Sequence, residues 1–278
     1  MKPELQRFDD AIASLTGPGQ PFELNKVTLA GVEYHNYASL PANLGQYFLV
    51  MMQHAHKDFA VYREERYTFA EGFQHSAAFA AALLQQYGLA KGDRVAILSR
   101  NNPQWMMAFI GATSVGAVAV PMNAWWTTEE LDYGFADSGA KIVVADRDRV
   151  QRLLPIAAKH GLQIIAIDDC SGLEVEHTPF AQLLRDFSGA SMPEVDVSLE
   201  DHATIMYTSG STGHPKGALS SHRGVLSALY SWMAMGVATK MSATDDGGAV
   251  RLPPAALVTI PLFHCTGSHS AFMLSLVV

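Results

Sequence analysis

From Tyr67 onward, apolar and polar positions alternate between a helical and an extended period, and each change of period carries its own punctuation. Thr68 followed by Glu71 forms a capping box that opens the Ala-rich stretch "AEGFQHSAAFAAALLQQYG", which Gly88 can close in a left-handed conformation. "KGDRVAILS" then predicts a turn and a short strand. Asn102 and Pro103 supply an N-cap and a first-turn proline for a helix over "QWMMAFIGATSVG". "AVAVPMN" predicts the next buried strand, and Thr127 with Glu130 repeats the capping box before "TEELDYGFADSG". "KIVVAD", a helix around Val150 to His160 and "LQIIAIDD" complete the alternation. Continuous apolar strands separated by helices need crossover connections, so the pattern predicts an α/β fold: parallel-sheet layers flanked by helices on both faces.

Residues 171–198 lose this periodicity and read as a connection with one short helix near Phe180 to Phe187. "HATIMYTS" predicts a strand and "SHRGVLSALYSWMAMG" a helix, with a Gly-rich loop between them. "TKMSATDDGGAVRLPPA" reads as a surface insertion, and "ALVTIPLFHCTG" as another strand ending in a turn. The expected organisation is an N-terminal segment (1–60), a first α/β subdomain (61–170), the connection (171–198) and a loop-bearing strand–helix unit (199–278). No internal repeat is found. The apolar run "SHSAFMLSLVV" reaches Val278 without a cap or polar tail. It reads either as a terminal element docked into the core or as an element cut within its length, and the second is the expectation.

Composition narrows the function classes. Apolar residues make up 49% of the 278, enough for a sizeable core, and only 17% are charged. A formal charge of -8 without a Lys/Arg cluster argues against nucleic acid as a partner. Cys170 and Cys265 lack metal-ligand or redox spacing, sit in apolar sequence surroundings and fit a reducing, cytoplasmic setting. No stretch reaches the length of a membrane span, and the N-terminal residues mix charges into their apolar positions, unlike a signal peptide.

"YTSGSTGHPKG", Tyr207 to Gly217, concentrates the chemistry. Converging backbone N–H groups, hydroxyl donors and a lysine outline a phosphate site, although Gly, Ser and Pro are also what an ordinary turn uses. Spacing excludes two familiar cases. After four residues from Gly210 comes Pro215 and Lys216 precedes Gly217, so the nucleotide-triphosphatase loop pattern fails; no G-x-G-x-x-G fingerprint is present either.

The stretch "YTSGSTGHPKGA" resembles the phosphate-binding signature of the AMP-forming acyl-adenylating superfamily, which includes acyl-CoA synthetases, coumarate-type ligases and peptide-synthetase adenylation domains. "PLFHCTG" resembles the acyl-pocket segment that follows it there. "YTFAEG", the run from Lys91 to Leu131 and "DSGAKIVVAD" resemble the N-terminal half of these enzymes in the same order, so the likeness covers about Ala60 to Val278.

The resemblance implies that a carboxylate attacks the α-phosphorus of ATP to form acyl-AMP, followed by transfer to CoA, with Mg²⁺ bridging the phosphates. It assigns Thr208, Ser209, Gly210, Ser211, Thr212, Gly213 and Lys216 to the phosphates, with Thr208 also beside the metal and Lys216 following the departing charge. His264 is implied to position the substrate carboxylate, with Phe263, Thr266 and Gly267 as the adjoining acyl wall suited to a hydrophobic acid. His269 is a weaker candidate, either functional or merely on the surface.

Trp125 and Trp126 read as packing, and Cys265, next to His264 in an expected strand, faces away from it. The family's adenine-stacking segment, ribose-binding Asp, hinge and C-terminal lysine have no counterpart here. The expectation is an incomplete N-terminal part, weak or inactive alone. The rival readings are a ligase feeding an acyl carrier protein and a non-catalytic nucleotide-binding protein.

Overall fold

The computed structural model describes residues 4–29, 31–208, 213–243 and 255–277. The capped elements form as their sequences predict. Thr68 and Glu71 close their capping box, with Thr68 N donating to Glu71 Oε2 at 2.8 Å, ahead of a helix over Phe69–Gln85. Thr127 and Glu130 do the same for Thr128–Ser138. Trp105 N donates to Asn102 Oδ1 at 2.7 Å, starting the helix Pro103–Ser114.

In chain order the elements begin with α1 (Glu4–Thr16), a hairpin of β1 (Leu24–Leu29) and β2 (Val32–Tyr37), the short α2 (Leu44–Phe48), and a second hairpin of β3 (Asp58–Tyr62) and β4 (Glu65–Thr68). Then follow α3 (Phe69–Gln85), β5 (Arg94–Leu98), α4 (Pro103–Ser114), β6 (Val118–Pro121), α5 (Thr128–Ser138), β7 (Ile142–Ala145), α6 (Arg147–Leu153), α7 (Ala157–His160) and β8 (Gln163–Ala166). The last are β9 (His177–Pro179), α8 (Phe180–Asp186), β10 (His202–Thr208), β11 (Lys216–Ser221), α9 (His222–Ser242) and a wide π-type helix, Thr266–Met273.

Among the described residues, β5 to β11 form one seven-stranded sheet in the order β11-β10-β6-β5-β7-β8-β9. Successive residues of β5 face opposite sides, as a pleated strand requires. Val95 and Ile97 join a core with α3, α4, α8 and α9, while Ala96 and Leu98 join a second core with α5 and α6. The two cores cover both faces of the sheet, which is why its central strands read as unbroken apolar runs.

The sequence expectation changes at several places. The sheet is mixed, because β11 runs antiparallel to β10 with Thr208 opposite Lys216. The Gly-rich loop is therefore a hairpin loop and does not lead directly into a helix. "KGALSS" carries no apolar alternation, and its residues are mostly exposed on an edge, so only the backbone ladder makes it a strand. Residues 255–264 are no strand. Their carbonyls at Val258 and Ile260 accept from Asn101 Nδ2 at 3.1 and 2.9 Å, and Leu262 N donates to Asn101 Oδ1 at 2.9 Å. A side-chain amide takes the place of a partner strand.

The helix expected over Val150 to His160 is two, α6 and α7, since Pro155 lacks the N–H that a continuous helix needs. Helix α9 runs past Gly236 to Ser242, so the expected surface insertion begins inside a helix, and residues 244–254 lie outside the described residues. Residues 1–60 acquire structure of their own: α1 packs on the far end of α9, where Arg7 Nε donates to Ser242 O at 3.0 Å. Tyr47 OH donates to Met273 O at 2.7 Å, tying the last helix back to α2. No helix among the described residues is long and apolar enough to cross a membrane.

Candidate active site

The carboxyl ends of β6 and β10 open into a cleft of about 650 Å³, the position where α/β sheets place their ligands. Strand β10 delivers Tyr207 and Thr208 to it, the far side of the hairpin loop delivers Gly213 and Pro215, and the segment before the last helix delivers Phe263 and His264. The turn after β6 supplies Asn123, Trp125 and Trp126, and α5 supplies Glu130. Two stretches 55 residues apart in sequence, from Thr208 to Phe263, thus share one wall.

Thr208 ends β10 exposed, with its hydroxyl donating to Lys216 O at 3.4 Å. Gly213 has φ +98°, a conformation that side chains with a Cβ rarely adopt. Lys216 opens β11 exposed to solvent and is not among the residues lining the cleft. Ser209, Gly210, Ser211 and Thr212 lie outside the described residues.

Phe263 is buried and His264 exposed, with ring centroids 4.6 Å apart. Thr266 is exposed and Gly267 buried at the start of the last helix, and neither lines the cleft. A Cβ on Gly267 would come within 2.1 Å of Pro261 O, so the turn that presents Phe263 and His264 closes only over a glycine.

His269 is not on the surface. It is 6% exposed, its Nδ1 lies 2.8 Å from Ser268 Oγ, and burial pulls its pKa down to about 4. Cys265 caps the start of the last helix, not a strand, and is exposed, whereas Cys170 is buried, so the apolar surroundings expected of both hold for one.

Trp126 is buried as expected, against Tyr207 at 5.2 Å. Trp125 is not packing: it is 58% exposed and stands edge-on to Phe263, with centroids 5.2 Å apart. Its signal in the sequence was its place between a strand end and a capped helix, where ligand-facing residues of this fold class sit.

Sequence reasoning also missed α5 as the buttress of the loop. Tyr207 OH donates to Asp137 Oδ2 at 2.6 Å, and burial together with that carboxylate raises the phenol pKa. At the loop's far end, His214 stacks on Tyr133 at 4.8 Å.

The family model described as AMP-binding enzyme matches residues 50–278. The chain is similar to 4-coumarate–CoA ligase 2 of Oryza sativa subsp. japonica, 31% identical over 217 residues that are 74% of this chain and 37% of that protein. It is similar to long-chain-fatty-acid–CoA ligase FadD13 of Mycobacterium tuberculosis, 35% identical over 184 residues, 66% of this chain and 33% of that protein. Among solved structures it resembles the inhibitor-bound N-terminal domain of FACL13 from Mycobacterium tuberculosis, with a TM-score of 0.69 and 30% identity over 85% of this chain and 55% of that one. The chain spans about a third of the length of the curated relatives it matches.

Proposed function

Because the chain belongs to the AMP-binding enzymes, we propose that its cleft serves the ATP-dependent activation of a hydrophobic carboxylic acid. A carboxylate oxygen attacks the α-phosphorus of ATP, the bond to the bridging oxygen breaks, pyrophosphate leaves, and an acyl-AMP anhydride remains. The thiol of CoA then takes the acyl group and releases AMP. The observation that carries this reading is the shared wall: the loop ends, Thr208 and Gly213, face the same space as Phe263 and His264.

In this proposal the loop from Thr208 to Gly213 binds the β- and γ-phosphates through backbone N–H groups and hydroxyls, and Lys216 follows the charge that leaves with pyrophosphate. His264 orients the carboxylate, and Phe263 covers the adjoining hydrocarbon. Gly267 acts through the turn it permits, and Thr266, like Gly267, does not line the cleft. No group of three or more His, Cys, Asp or Glu among the described residues could hold a metal alone. A Mg²⁺ bound through ATP phosphates needs no such cage, and the Thr208 hydroxyl and Glu130 carboxylate offer oxygens that fit it. Bound there, it would offset phosphate charge.

The test is calorimetric ATP binding to this chain, paired with ATP–pyrophosphate exchange in the presence of decanoate. Lys216→Ala is expected to weaken ATP binding about tenfold, as loss of a charge-assisted contact does, and to leave the melting temperature unchanged because Lys216 is exposed on an edge strand. Unaltered ATP affinity would remove Lys216 from the phosphate site.

A further inference from the structure

An exposed tryptophan is ordinarily free to reorient, yet the turn that carries Trp125 is restrained from both ends. Arg149 Nε donates to Ala124 O at 2.8 Å, and Arg152 Nη1 donates to Ala124 O at 3.2 Å and to Trp126 O at 2.9 Å. Trp125 N itself donates to Asn123 Oδ1 at 2.9 Å. Arg149 is 1% exposed, and its charge is matched by Asp146, whose two oxygens both lie 3.2 Å from Nη1. Burying a guanidinium is costly even when paired, so two arginines directed at the carbonyls of one turn need a reason beyond holding a loop on the surface.

What the turn presents is the indole of Trp125, set edge-on to Phe263 on the cleft wall. Leaving so large an apolar ring 58% exposed forgoes burial that it would otherwise gain. A ring fixed in advance loses little entropy when an apolar ligand covers it.

We infer that Trp125 is a specificity-determining residue, a preset aromatic wall for the apolar part of the acid, and that Arg149 and Arg152 are the positioning residues that hold it beside Phe263. The inference rests on the acid-activation reading for the identity of the ligand. The restraint on Trp125 does not depend on that reading.

The experiment uses the chain with its four tryptophans replaced by 5-fluorotryptophan and followed by ¹⁹F NMR, the Trp125 signal being assigned with Trp125→Phe. Decanoate, acetate and ATP are titrated separately. Decanoate is expected to shift the Trp125 signal and acetate to leave it in place. Trp125→Ala should weaken decanoate binding about tenfold and change ATP affinity by less than about twofold. Arg152→Gln, on a half-buried side chain, should move and broaden the Trp125 signal and weaken decanoate about threefold without lowering the melting temperature, and Arg152→Lys should restore most of both.

A Trp125 signal indifferent to Arg152→Gln would overturn the positioning role. Decanoate that neither shifts Trp125 nor responds to Trp125→Ala would overturn the wall. Absence of ATP binding to the unsubstituted chain would instead sink the activation reading, and the decanoate response of Trp125 would still decide the wall.

Discussion

Gly267 and two buried histidines carry the sharpest consequences of single side chains. A methyl group at Gly267 meets the Pro261 carbonyl oxygen at 2.1 Å and its carbon at 2.6 Å, both backbone atoms that cannot swing aside. Gly267→Ala is expected to cost about 3 kcal/mol or to force the turn holding Phe263 and His264 out of place. A drop in melting temperature of several degrees, or a changed Trp125 ¹⁹F shift, would register it; the absence of both would refute the contact.

His222 is fully buried with Nδ1 accepting Leu44 N at 3.1 Å, and burial holds both it and His269 down at about 4. The unfolded chain protonates these rings near 6.5, so between that value and about 4 it binds more protons than the folded chain. Stability contributed by the neutral rings is complete above about 6.5 and falls as pH drops, by up to about 1.4 kcal/mol per pH unit for each. Urea midpoints should decline from pH 7 to pH 5, and His222→Gln should flatten that decline. A slope that survives the substitution unchanged would assign it to other groups.

Helices α3 and α4 show an element-level constraint that patterning does not announce. They approach so closely that a Cβ on Gly111 would lie 2.6 Å from Ser76 O and 2.9 Å from the Phe79 ring. Helix propensity favours alanine over glycine by about 1 kcal/mol, while overpacking costs about 1–3 kcal/mol. Gly111→Ala is therefore expected to lower the melting temperature by a few degrees, and a rise would mean that the helices part without cost. The capped helices α3, α4 and α5 were legible because their start signals are local: hydroxyl, amide and carboxylate groups act within three residues of one another. Strand β11 was not, since "KGALSS" owes its conformation to the ladder with β10 and not to its own side chains. The strand expected in "ALVTIPLFHCTG" failed for the converse reason. Its apolar content suits a strand, but its carbonyls find the amide of Asn101 and no neighbouring ladder.

Across the molecule, the cleft assembles pieces that no local reading connects. The Gly-rich stretch and "PLFH" were recognisable as segments, and the structure brings Thr208, Gly213, Phe263 and His264 to one wall while leaving Lys216, Thr266 and Gly267 off it. Trp125 changed from packing to wall because exposure depends on what lies opposite, here Phe263 from the far end of the chain. The buttress of α5, through Asp137 on Tyr207 and Tyr133 on His214, also joins residues 70 and 81 positions apart.

Family membership, the α/β alternation and the capped helix starts were all written in the order of residues, because period, caps and motif spacing act over a few positions along the chain. The antiparallel edge, the course of residues 255–264 and the membership of the cleft wall needed the fold, because each depends on which distant backbone or ring arrives as a partner, and that is settled only when the sheet and its two cores close together.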